Sequence, residues 1–199
     1  MRILVVTSGM ESERSVRDRL TGHELTFASS LEQAMELMAD RFNERNVARL
    51  LMEAGYPHQP NASTATSEEW SGYWDAWREA TKQSALPFPF DIVITDMMVP
   101  MAGCTDPGTH WNRMEDAPFG PVIAHRATTA GARFVAVITD TRKLPGTPGA
   151  IIDHLAGSVY GILKFTSEET DNRVMFSPMF FVNDTDQKDW ARILAELIA

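Results

Sequence analysis

A chain of 199 residues with 44% hydrophobic side chains is long enough to bury one full core, and its net charge of −9 argues against nucleic acid as a partner, because neutralising phosphates takes clustered Lys and Arg. Its single cysteine, Cys104, excludes an intrachain disulfide and a cysteine-rich zinc site. The first apolar run, Ile3 to Val6, is too short for a signal segment, and no later run approaches the ~18 residues of a membrane span, so no membrane contact and a reducing cytoplasm are expected.

Ile3 to Val6 reads as a first strand, followed by a helix over about Met10 to Leu20 with Ser8 and Glu11 at capping-box spacing. Glu24 to Ala28 reads as a short second strand. Ser29 and Glu32 repeat the capping spacing ahead of a second helix striped by Leu31, Ala34, Met35, Leu37 and Met38. That stripe continues through Val47, Leu50 and Leu51 until Gly55 and Pro57 stop it, which predicts one long helix. Asp91 to Thr95 reads as the third strand. A helix is expected from Pro118 to Pro121 through to Gly131, since proline is tolerated in a first turn. Phe134 to Thr139 reads as a fourth strand and Ile151 to Leu155 as a short helix. Val159 to Phe165 and Val174 to Val182 are both strand-like around the polar stretch Thr166 to Arg173, the pattern of a C-terminal hairpin. Either can be the central fifth strand. Asp184 with Gln187 is placed to cap a last helix whose face carries Trp190, Ile193, Leu194 and Leu197.

Alternation of this kind predicts an α/β fold with a doubly wound, mostly parallel five-stranded sheet and helices on both faces. A single domain over residues 1–199 is expected, with insertions at about 45–89, which is helical, and 101–117. The segment Phe90 to Pro100 is the most telling. Its apolar run ends on Asp96 and turns at Pro100, so Asp96 sits at the C-terminal tip of a buried strand, the edge where open α/β sheets place their ligands. Against this stands the plain role of a turn-forming aspartate.

The opening strand Arg2 to Val6, the segment Phe90 to Gly103 and the strand Phe134 to Thr139 with its terminal hydroxyl together resemble the response-regulator receiver domain. The resemblance implies a flavodoxin-like sheet of order 2-1-3-4-5, Asp96 as the phosphoacceptor, Thr139 as the hydroxyl that contacts the phosphoryl group, and Pro100 as the proline of the following loop. Lys164 matches the family's lysine at the end of the fifth strand, although Phe165 replaces the proline that usually follows. If Val174 to Val182 is the fifth strand, that lysine is missing. Receivers hold Mg²⁺ with an acidic pair directly after the first strand, where this chain has Thr7 and Ser8. A carboxylate attacking a phosphoryl group then meets like-charge repulsion of ~4 kcal/mol per unit pair at 4 Å with no metal to relieve it. Asp140, after the switch hydroxyl, adds another negative group. Mg²⁺ is therefore disfavoured, and Asp96 with Asp140 is the one carboxylate pair that would hold it. No other cofactor is indicated.

In the first insertion Thr66 and Glu69 form a further capping box, and Trp70, Tyr73, Trp74 and Trp77 follow on one helical face. Such a stripe either packs on the long second helix or anchors an interface with another protein or a second copy. The second insertion holds Cys104, Asp106, His110, Trp111, Glu115 and Asp116, a mixture of ligand types in no familiar metal spacing, and a lid or recognition loop is the better expectation.

Three readings follow. The first is a degenerate receiver-like signalling or protein-interaction module that is not phosphorylated by the ordinary Mg²⁺-dependent route. The second is a small-molecule or nucleotide-binding protein, enzyme or not, in which Thr7, Ser8 and Gly9 cradle an anion at the start of the first helix. The third is an atypical aspartate phosphoacceptor.

Overall fold

The computed structural model describes residues 1–7, 10–101, 116–139, 163–166, 173–178 and 188–199. In chain order the elements are β1 (Arg2–Val6), α1 (Met10–Arg19), β2 (Glu24–Ala28), α2 (Leu31–Leu37), α3 (Glu44–Glu53), α4 (Ser67–Gln83), β3 (Ile92–Asp96), β4 (Val99–Pro100), β5 (Asp116–Ala117), α5 (Gly120–Ala130), β6 (Phe134–Thr139), β7 (Leu163–Thr166), β8 (Arg173–Pro178) and α6 (Trp190–Ile198). These residues gather into two compact units, one of residues 1–39 with 89–199 and one of residues 40–88.

The first unit is the expected α/β sheet. Five strands run parallel in the order β2-β1-β3-β6-β8, and β7 adds an antiparallel edge beside β8. Counting parallel strands alone, this is the order 2-1-3-4-5. The fifth strand is therefore the later of the two C-terminal candidates, and β7 with β8 forms the expected hairpin.

Alternate residues of each strand feed opposite faces, which is why β1 and β3 read as unbroken apolar runs. On one face Ile3, Val5, Ile92, Ile94, Ala136 and Ile138 pack with Val16 of α1, with Leu20 just past its end and with Trp190, Ile193, Leu194 and Leu197 of α6. Burying each of these large side chains stabilises by roughly 1.5–3 kcal/mol. On the other face α5 buries Ile123, Ala124 and Ala127, and the Arg126 guanidinium donates to the Met38 carbonyl beyond α2 at 3.3 Å.

Several local expectations shift. The cap of α2 is Ser30, which accepts from the Gln33 N–H, while the Gln33 side chain accepts from the Ser29 N–H at 2.8 Å; the pairing of Ser29 with Glu32 is one residue out of register. The long second helix is two helices. Asn43 caps α3 by accepting from the Asn46 N–H, and that local bond competes with a continuous helix although the apolar stripe runs on. Gly55 ends α3 as expected: its φ of 88° is open to glycine at no steric cost. The last helix starts at Trp190 with Asp189 as cap, not at the Asp184 and Gln187 spacing, whose residues lie outside the described ones, as do Ser8 and the segment Ile151 to Leu155.

The second unit closes on itself. The Leu86 N–H donates to the Arg41 carbonyl at 2.8 Å and the Asn43 N–H to the Ser84 carbonyl at 2.9 Å, so its two ends run side by side across a Phe42 to Ala85 bridge. The second insertion is stitched in a similar way, by the antiparallel pair β4 and β5 with Val99 opposite Ala117.

The third strand begins one residue later than expected, and Asp91, just ahead of it, is tied to the start of β1. Its carboxylate accepts from the Arg2 N–H at 2.8 Å and from the Arg2 guanidinium at 3.2 Å. The backbone bond from Arg2, with the guanidinium's support, holds the Asp91 carboxyl below its ordinary range. A depressed folded value means that the stabilisation is present above the unfolded value near ~3.9 and is lost as pH falls through the folded one. Asp91→Asn should therefore lower stability at pH 7 by less than about 1 kcal/mol, the pair being half-exposed, and the deficit should shrink in urea melts as pH falls below the ordinary carboxylate range. A deficit that persists there would point to packing.

Candidate functional site

The sheet register brings the first polar residues to one place. Val6 pairs with Thr95, so the residues that follow, Thr7 and Asp96, stand side by side at the C-terminal ends of β1 and β3. From β1 the sheet passes to β2 on one side, and from β3 to β6 on the other, which makes this the topological switch point of the fold. Thr7 is buried, its N–H donating to the Ala28 carbonyl at 3.0 Å, and its hydroxyl donates to Oδ2 of Asp96 at 2.6 Å. The buried Thr95 hydroxyl donates to the Asp96 carbonyl at 3.0 Å. Around the turn, the Met97 N–H donates to the Ile138 carbonyl at 2.7 Å and the Gly120 N–H to the Met97 carbonyl at 3.0 Å, so the tip of β3 is tied to β6 and to the start of α5.

Oδ1 of Asp96 is held by Lys188, which forms an ion pair with it. Only 11% of the lysine side chain and 15% of the aspartate side chain are exposed. Lys188 stands two residues ahead of Trp190, its ammonium 5.1 Å from the centre of the Trp190 ring, and Trp190 is itself buried in the core beneath. The carboxylate therefore has a donor on each oxygen and a matched charge beside it.

Sequence reasoning missed Lys188. The signal that could have found it is positional: in a parallel α/β sheet the chain leaving each strand lies at the C-terminal edge, so the stretch between β8 and α6 has to be searched for cations as closely as the strands. Lys164, the lysine implied by the family resemblance, stands instead in the middle of the edge strand β7, three strand spacings or roughly 14 Å from β3. Thr139 ends β6 one residue beyond Ile138, the partner of Asp96, and so shares the edge. Ser8, Gly9 and Asp140 lie outside the described residues, as do Cys104, Asp106, His110, Trp111 and Glu115. Among the described residues no group of three or more His, Cys, Asp or Glu side chains converges in a metal-ligating arrangement, and no helix is long and apolar enough to cross a membrane.

The aromatic stripe belongs to the second unit. Tyr73 is buried and meets the Tyr56 ring edge-on at 5.9 Å, while Trp77 meets Phe42 edge-on at 6.0 Å. Trp70 and Trp74 stack on each other at 6.1 Å, and Trp74 remains 44% exposed. One part of the stripe is thus packing and the other is surface.

No family model matches the chain, and neither does any curated protein or solved structure.

Proposed function

We propose that this chain is a receiver-like signalling or protein-interaction module in which Asp96 serves as a fixed structural charge and is not phosphorylated by a Mg²⁺-dependent route. The observation that carries this reading is the occupancy of both carboxylate oxygens, one by the Thr7 hydroxyl and one by Lys188. A metal-assisted phosphoacceptor needs neighbouring carboxylates to hold the cation, in the ammonium's place, beside the nucleophilic oxygen. Here Thr7 occupies the place beside Asp96 where such a carboxylate would stand, and Lys188 already balances the charge. A divalent cation would have to displace an ammonium to enter, which sets two like charges against each other.

Incubation with acetyl phosphate and Mg²⁺, followed by intact-mass spectrometry, tests the reading. The expected result is no phosphoryl adduct. A stoichiometric adduct that disappears in Asp96→Asn would make the chain an atypical phosphoacceptor instead. The small-molecule reading has its own check: a nucleotide or flavin at ~100 times its dissociation constant would add ~2.7 kcal/mol and raise the melting temperature, and no such rise is expected.

A further inference from the structure

The second unit carries a surface that the Asp96 site does not use. Helix α4, 17 residues long, places Ser67, Trp70, Trp74, Trp77 and Thr81 at alternating spacings of three and four, the seam of a paired helix. The neighbouring face, with Tyr73 and Ala80, is buried; the seam instead leaves Trp74, near the helix centre, 44% exposed.

The charges beside that seam are arranged with opposite signs at the two ends. Glu68 and Glu69 lie in the first turn and Lys82 in the last, and Glu68 and Lys82 are both exposed and equidistant from the midpoint at Asp75. At 3.6 residues per turn they also fall on the same flank of Trp74. Between them Asp75 and Arg78 neutralise each other in an ion pair, and Glu79, turned further from the seam, accepts from the Gln83 amide at 2.9 Å. Two such helices laid parallel about a twofold axis would set this flank against the face that carries Tyr73 and Ala80, which is already buried. Laid antiparallel about a twofold axis through the centre, they set Glu68 of each copy against Lys82 of the other, with the two Trp74 rings meeting at the axis.

We propose that α4 is a self-association surface and that its occupant is the α4 helix of a second copy, antiparallel and related by a twofold axis. This goes beyond the reading of Asp96 and does not depend on it. A seam of two helices lies at the small end of specific interfaces, below about 1,200 Å², so the dimer is dilution-sensitive.

Sedimentation equilibrium on the full chain tests the proposal. The expected result is a monomer–dimer equilibrium at concentrations up to roughly 0.1 mM. Glu68→Lys and Lys82→Glu should each weaken association about tenfold, since two symmetry-related exposed pairs turn from attraction to repulsion, and the double variant should recover it. Trp74→Glu should abolish it. Because Glu68 and Lys82 are exposed, their variants remain informative even if Trp74→Glu fails to fold. A wild-type chain that stays monomeric, a dimer indifferent to the charge reversals, or a double variant no better than the single ones would each overturn the antiparallel α4 pairing.

Discussion

Replacing Lys188 by methionine is expected to destabilise the protein by about 3 kcal/mol at pH 7, read as a lower urea midpoint. Methionine keeps much of the length and the apolar stem of lysine, so the change isolates the loss of the ammonium. What remains is a carboxylate 15% exposed with one oxygen bonded to Thr7 and the other facing a site built for a cation. Removing one member of a buried pair costs about 3–5 kcal/mol because the other charge is stranded, and partial access to water puts this site at the lower end. The reverse change should be milder: in Asp96→Asn the freed lysine can carry its ammonium toward solvent on a flexible stem. Combining Lys188→Met with Asp96→Asn removes both charges and should return the midpoint to within about 1 kcal/mol of wild type. A double variant no more stable than Lys188→Met would mean that the pair's charge match is not what holds this corner together.

Gly120→Ala should have an effect of similar size, about 3 kcal/mol, for a steric reason. A methyl group at Gly120 would lie 2.6 Å from the Asp96 carbonyl oxygen, 2.8 Å from the Met97 Cα and 3.0 Å from Val137 Cγ1. The first two are backbone atoms of the strand tip, which Met97 ties to β6 through its bond to Ile138, so they have little freedom to retreat. Helix α5 can begin directly against the end of β3 only because its first residue has no side chain. A thermal melt that moves by less than a degree would show that this junction yields, and with it the claim that Asp96 is rigidly placed.

The sheet was legible because its signal is redundant. Three of the parallel strands, β1, β3 and β6, were each marked by a short apolar run, and two-sided burial leaves such runs nearly unbroken by polar residues. Boundaries depended on single side chains and were less secure: Asn43 reads as one more helical position until it caps α3. Of the site, Asp96 and Thr7 were visible because both terminate strands that the pattern identifies. Lys188 was not, since nothing in periodicity or composition distinguishes it from any other solvent-facing lysine ahead of a helix. Its role comes from β8 being the fifth parallel strand, which brings the start of α6 to β3, and the hairpin at the C-terminal end left two candidates for that strand.

The two stitched insertions say something about where this fold tolerates change. The ends of the second unit are hydrogen-bonded through Arg41 and Leu86, and the loop that follows Pro100 is pinched shut by Val99 and Ala117. Once a loop's ends are clamped, doubling its length adds only about 0.6 kcal/mol of closure entropy, and no core strand has to shift its register to accommodate the added residues. Chain inside either clamp can be lengthened, shortened or exchanged while the strands that position Asp96 stay where they are. Sequence drift at these two places is therefore nearly free of charge to the sheet, and new surfaces can be tried there without retuning the hydrophobic core.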